Sequence, residues 1–412
     1  MRILWVKGGR LLPVDTGGKL RSYNLLRVLA ARHETTLLTY YDGGRDEAYE
    51  RQMAETFPGC LTLHTGYRTD TAARSAIHYA RRLASPAPYS VTKFTVPAVR
   101  SQIDQWMAER RFDVAVCDFL SASLNFPRTP SIPCVLFQHN VESALWRRQA
   151  TFERDRMKRL VFAIEAAKMA RYEPSTVARF ERIIAVSESD RALMTAMTAP
   201  DRIAVVPTGV DLATFRAARV PTGDEPPAVL FLGSMDWEAN IDGAEWFCAE
   251  VWPRVLSAVP DARFRIVGRN PHARVARLAC ASVEVTGTVP SVVDYLRDAA
   301  VFVVPLRIGG GTRLKIFEGM AMGKAVVSTT VGAEGLDVTH GRDIVLADDA
   351  TTFADAIVRF LRDRIARRRF GDAAIALAER FDWSAVGEQF AAVLEDTVRA
   401  SAAPVPRPLR SA

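Results

Sequence analysis

The sequence predicts an α/β protein built from two doubly wound, Rossmann-like parallel-sheet domains. Three observations carry this. Short β-branched apolar runs alternate with longer helical patterns along the whole chain. The runs are apolar at successive positions, as strands are when helices cover both faces of a sheet. At 412 residues the chain exceeds what one core organises, so two domains of roughly 200 residues each are expected.

In chain order, the first half offers strands at 2–6 (RILWV), 35–41 (TTLLTYY), 60–64 (CLTLH), 113–117 (DVAVC), 134–138 (CVLFQ), 182–187 (RIIAVS) and 203–207 (IAVVP). Between the first two lies GGKLRSYNLLRVLAARH, where Leu20, Tyr23, Leu26 and Leu29 mark one apolar helical face. The second half repeats the scheme at 229–233 (VLFLG), 264–268 (FRIVG), 283–287 (VEVTG), 301–305 (VFVVP), 325–329 (AVVST) and 343–347 (DIVLA). The expected domains are residues 1–210 and 229–380, joined by a Pro- and charge-rich linker at 211–228 that lacks periodicity. A final helical pattern covers 381–400, and the Pro-rich 401–412 reads as a disordered tail.

Composition narrows the partners. A net charge of +7 allows nucleic acid, an anionic membrane surface or phosphorylated small molecules. The basic residues are dispersed among acids, which disfavours nucleic acid. Five scattered cysteines without a C-x-x-C pair predict reduced thiols and a cytoplasmic protein, with Cys60, Cys117 and Cys134 buried in apolar runs. No secretory signal is expected in MRILWV, and the longest apolar stretches are strand-sized, so membrane contact would be peripheral. The segments 146–173 and 74–84 combine basic and apolar residues in a way that suits an anionic leaflet.

The stretch GGGTRLKIFEGMAMGKAVV, residues 309–327, carries the chemistry. It reads as loop then helix, with Thr312 as N-cap and Gly323 as C-cap. Gly309, Gly310 and Gly311 let backbone amides form a concave anion nest before a helix start that already carries partial positive charge. Arg313 and Lys315 oppose that dipole by about 0.3–1 kcal/mol each. A bound dianion offsets the cost, because charge-assisted hydrogen bonds contribute about 1.5–3 kcal/mol apiece. Glu318, a further turn along, can accept from two vicinal hydroxyls such as those of a ribose, so the pattern describes a nucleoside diphosphate. Neither a Walker A loop nor a dinucleotide fingerprint is present. Strand-ending Gly233, Gly268 and Gly287 point to a cleft along one sheet edge.

These residues resemble the retaining family-4 glycosyltransferases of the GT-B fold. The likeness runs through GGKLRSYNLLRVLAARHETTLLT, LFQHNVES, AVSESDRALM, VVPTGVD, FLGSMDWEANIDGAEWF, RIVGRN and the glycine stretch continuing to VGAEGL. It implies that Glu318 binds the donor ribose and that Gly309, Gly310, Gly311, Thr312, Arg313 and Lys315 surround the diphosphate. It also implies that Gly17 and Gly18 approach the donor phosphate and sugar, and that His139 lies near the transferred sugar. Arg269, after RIVG, is assigned to the neighbourhood of the base.

The sequence departs from the family pattern in three places. Gly310 stands where an acid that contacts the sugar is common. GSMDWEANIDG lacks the usual Arg and Lys, whose work falls to Arg313 and Lys315. Thr208 replaces an Asn. The expected reaction is transfer of a hexose from a UDP- or GDP-sugar to a glycan or lipid-linked acceptor with retention. His139, Arg313 and Lys315 are its catalytic candidates, and surface-glycan or exopolysaccharide assembly is its setting. No D-x-D and no ligand-spaced histidines occur, so no metal and no cofactor are expected. A nucleotide-sugar epimerase of the same fold and a non-catalytic partner protein are the alternatives. Of the tryptophans, Trp246 and Trp252 are expected in the core and Trp237 in a loop.

Overall fold

The computed structural model describes residues 1–66, 72–153, 155–219, 226–308 and 314–402. The chain divides into two compact domains, one formed by residues 1–207 with the chain from Val386 onward, the other by Thr208–Ala385.

The first domain holds a seven-stranded sheet of β1 (Arg2–Gly8), β2 (Glu34–Tyr41), β3 (Leu61–His64), β4 (Val114–Asp118), β5 (Cys134–Phe137), β6 (Arg182–Ala185) and β7 (Ile203–Val205), in the order β3-β2-β1-β4-β5-β6-β7. Every pairing is parallel. Trp5 sits in register with Leu37 on one side and Val116 on the other. The apolar runs form strands because both sheet faces are covered: Ile3, Leu4, Trp5 and Val6 are wholly buried, as are Val114 to Cys117.

Helix α1 (Gly17–Ala30) follows β1, capped by Thr16, whose hydroxyl accepts from the Lys19 amide. Leu26 and Leu29 are buried as their spacing predicts. Leu25 takes the place assigned to Leu20 and Tyr23, which are only half-buried, and Arg21 is buried as well. Two further helices, α2 (Glu142–Phe152) and the longer α3 (Arg156–Val177), form the basic hairpin of this domain.

The second domain holds six parallel strands, β8 (Ala228–Leu232), β9 (Arg263–Val267), β10 (Val283–Gly287), β11 (Val301–Val304), β12 (Ala325–Ser328) and β13 (Val345–Leu346), ordered β10-β9-β8-β11-β12-β13. Helix α4 (Glu238–Trp246) follows β8, and α5 (Leu314–Ala321) follows β11. Gly323 has φ +70 two residues past α5, the left-handed backbone that ends helices with glycine. Trp246 and Trp252 are core residues and Trp237 is exposed. The chain enters this domain at Thr208, and residues 212–218 form a short helix with Phe215 buried.

The last described helix is α6 (Trp383–Ala402). In the first domain, its Phe390 ring packs 5.4 Å from Trp5 and 5.1 Å from Phe137. The cysteines are all free thiols. Cys117 and Cys134 are buried, whereas Cys60, at the mouth of β3, is only half-buried.

Candidate active site

In open parallel sheets, ligands bind beyond the carboxyl ends of the strands, at the crevice where strand order reverses. That point lies between β8 and β11 in the second domain and between β1 and β4 in the first. Both crevices hold the polar residues that a site requires.

In the second domain, Gly233 directly follows β8 and Gly268 directly follows β9. A Cβ on Gly268 would lie 1.6 Å from the Gly233 carbonyl oxygen, and one on Gly233 would lie 2.7 Å from the Asn240 amide nitrogen. These two glycines therefore permit close packing of the strand ends, not an open edge. Gly287 has φ +73 and nearly open surroundings, which marks a turn.

Asn240, in the first turn of α4, is buried. It donates to the Ser234 carbonyl at 2.8 Å and accepts from the Lys315 ammonium at 2.9 Å. Lys315 Nζ also lies 4.6 Å from the centre of the Phe231 ring. Arg269 donates to the Ser234 hydroxyl at 3.0 Å. Glu318, one turn beyond Lys315 on α5, is half-buried. Desolvation pushes its carboxyl pKa up, and the Lys315 charge partly offsets the rise. The structure thus brings together Lys315, Glu318 and Arg269 with Asn240 and Ser234. Gly309, Gly310, Gly311, Thr312 and Arg313 lie outside the described residues.

The crevice of the first domain opens into a cavity of about 530 Å³ lined by Lys7, Gly8, Arg10, Gly18, Phe119 and Glu142 among others. Gly17 and Gly18 are the first residues of α1, and a Cβ on Gly18 would lie 2.8 Å from the Phe119 ring. Phe119 has φ +73 and ψ 148, a region that costs a non-glycine residue on the order of 1–3 kcal/mol. Its ring stacks on His139 at 3.8 Å.

His139 therefore lies behind Phe119, 1% exposed, and does not line the cavity. Its Nδ1 is 3.4 Å from the Arg21 guanidinium, and since arginine only donates, Nδ1 accepts and the ring proton sits on Nε2. Nε2 is 3.0 Å from Asp118 Oδ1, but the approach is too poorly aligned for a well-formed hydrogen bond. Asp118 Oδ2 accepts from Trp5 Nε1 at 3.0 Å and from the Lys7 ammonium at 3.1 Å. Burial lowers the His139 pKa to about 4, against the opposing pull of Asp118, so the imidazole is neutral at pH 7. Burial also lowers Arg21 to about 10, with Asp190 and Asp118 opposing. Glu142 is shifted the other way: desolvation first, then Glu173, raises it to about 7.

Lys7, Arg21, Asp118, Phe119, Glu142 and Asn240 escape a reading of the sequence by periodicity, which assigns polar residues to solvent. Arg21, Glu142 and Asn240 fall within segments that carry the family resemblance, GGKLRSYNLL, HNVES and WEAN; Lys7, Asp118 and Phe119 do not. Among the described residues no group of carboxylates, histidines and cysteines is arranged to hold a metal ion.

Comparison with known proteins bears on the family and the fold. Residues 17–214 match the Glycosyltransferase Family 4 family, and residues 226–363 match Glycosyl transferases group 1. An uncharacterized 44.6 kDa protein in the cps region of Klebsiella pneumoniae is 22% identical over 85% of this chain and 88% of its own length. Phosphatidyl-myo-inositol mannosyltransferase of Mycobacterium tuberculosis is 29% identical over 78% of this chain and 84% of its own. The structure of Anabaena HepE, solved in complex with UDP and glucose, superposes with a TM-score of 0.63 at 15% identity, covering 96% of this chain and 99% of that one. That similarity bears on the fold, two Rossmann-like domains of the GT-B type. The chain belongs to the family-4, group 1 glycosyltransferases.

Proposed function

We propose that the protein transfers a hexose from a UDP- or GDP-sugar to a glycan or lipid-linked saccharide, with retention and without a metal ion, in the cytoplasm at the inner face of a bacterial membrane. The observation that carries this reading is the convergence of Lys315 and Glu318 with Arg269 at the switch point of the second domain. A desolvated carboxylate gains most from new hydrogen-bond donors, and a ribose supplies two.

In this reading the glycine loop, Arg313 and Lys315 surround the diphosphate. The bond from the anomeric carbon to the phosphate oxygen breaks, and negative charge grows on the leaving group. The cations stabilise that charge more than they stabilise the ground state, which is what accelerates the step. The acceptor oxygen bonds to the anomeric carbon on the face the leaving group vacates, and its proton passes to the departing phosphate. His139 is neutral and contributes no charge; its part is to support the Phe119 floor of the cavity in the first domain. That cavity, with its lysines, Arg10 and Glu142, is assigned to the acceptor.

Peripheral attachment is supported by the α2–α3 hairpin. A groove there is lined by Arg147, Arg156, Arg159 and Leu160, and Met157 and Leu160 are 71% and 54% exposed. No helix among the described residues is long and apolar enough to cross a membrane. The named neighbours motivate the choice of donors and of a surface-glycan setting: a UDP complex, a mannosyltransferase and a protein of a cps region.

The test incubates the protein with radiolabelled UDP- and GDP-hexoses and a bacterial lipid extract in EDTA, with NMR of the anomeric proton of any product. Transfer from one donor with its anomeric configuration kept supports the reading. Inverted product, or transfer that requires added metal, contradicts it.

A further inference from the structure

Asn240 meets two opposite demands at once. Its neighbour on one side, the Ser234 carbonyl, can only accept a hydrogen bond, and its neighbour on the other, the Lys315 ammonium, can only donate one. A side-chain amide satisfies both, and in a single orientation. The amide is 2% exposed and pressed against Gly233, where any side chain would collide with it, so its position is fixed by packing. The Phe231 ring faces the same ammonium. The sequence spends a glycine, a buried amide and an aromatic face on the location of one lysine tip.

We propose that Asn240 is a positioning residue that fixes the Lys315 ammonium at the carboxyl end of β8, where it reads the terminal phosphate of a bound nucleoside diphosphate. This rests on the donor-site reading above and assigns the recognition of diphosphate over monophosphate to the Asn240–Lys315 pair. The pair also explains how the site works without cations in the loop after β8: Asn240, on the helix that follows that loop, holds a cation supplied by α5. An aspartate at 240 would keep the geometry, lose the bond to Ser234 and set a negative charge where the phosphate belongs.

The experiment measures dissociation constants by calorimetry for UDP, UMP, GDP and GMP with the full chain, its Asn240→Asp and Asn240→Ala variants, and Lys315→Gln. The Lys315→Gln substitution keeps a donor for the Asn240 carbonyl but removes the charge. The wild type is expected to favour one diphosphate over its monophosphate. Asn240→Asp and Lys315→Gln are each expected to reduce that preference by about tenfold or more, with monophosphate binding within about twofold of wild type. The double variant is expected to lose no more than either single one. Should Asn240→Asp fail to fold, Asn240→Ala, which releases the lysine, carries the same comparison.

Equal weakening of both nucleotides, or a preference within about twofold of wild type in the Asn240 variants, overturns the proposal and leaves the donor site standing. A wild type that binds none of the four nucleotides removes the donor-site reading and this proposal with it.

Discussion

His139 and Glu142 stand three residues apart in one motif, and burial moves their protonation equilibria in opposite senses. His139 falls from its ordinary 6.5 to about 4, and Glu142 rises from 4.5 to about 7. Between pH 4 and 6.5 the unfolded chain binds a proton at His139 that the folded one refuses, so His139 makes the fold less stable as pH falls through that window. On the order of 3 kcal/mol is at stake, from the size of the shift. Glu142 acts the other way, because its folded form keeps a proton that the unfolded chain has lost above about pH 4.5; its contribution declines as pH rises towards 7. Urea unfolding at pH 7 and pH 4.5 separates the two. The stability gap between wild type and His139→Gln should narrow as pH falls, and the gap for Glu142→Gln should widen. Parallel behaviour of His139→Gln and wild type would contradict a histidine buried in the neutral form. At Gly268, where a Cβ would meet a carbonyl oxygen, Gly268→Ala is expected to cost about 2–4 kcal/mol and to lower the melting temperature.

The helices and strands were legible where one physical rule governs them. A short apolar run bounded by polar or turn residues reads as a covered strand, and β1, β4, β8 and β11 lie within two residues of their expected bounds. β13 shrinks to Val345 and Leu346, since a strand at the sheet margin has one partner to extend along. Helix α1 shows where the rule stops. Periodicity cannot place Arg21 inward, because its burial depends on His139 and on carboxylates from distant parts of the chain.

Two predictions belong to single elements. In α6, Phe390 is fully buried against Trp5 and Phe137, so Phe390→Ala should destabilise the first domain by about 3–5 kcal/mol in denaturant unfolding. In the α2–α3 hairpin, Arg156→Glu with Arg159→Glu should abolish sedimentation with vesicles rich in anionic lipid while leaving nucleotide affinity unchanged. Equal sedimentation of variant and wild type would remove the hairpin as the attachment surface.

Across the whole molecule, two doubly wound sheets place two crevices, each at a reversal of strand order. The cluster of Lys315 and Glu318 was legible because the two sit within one short stretch beside a glycine run. The contact of Lys315 with Asn240 was not legible: Asn240 lies 75 positions earlier and meets it only when β8 and β11 pair. The first-domain crevice was less legible still, since Lys7, Asp118 and Phe119 look like the ordinary ends of strands until β1 and β4 stand side by side.

The most direct test of the account is a metal-free calorimetric titration of the protein and its Glu318→Ala variant with UDP and GDP. Saturable binding of one nucleotide by the wild type is predicted, weakened about tenfold or more by the substitution as a ribose contact to a carboxylate is lost. Binding that Glu318→Ala leaves unchanged, or no binding of either nucleotide, would contradict it.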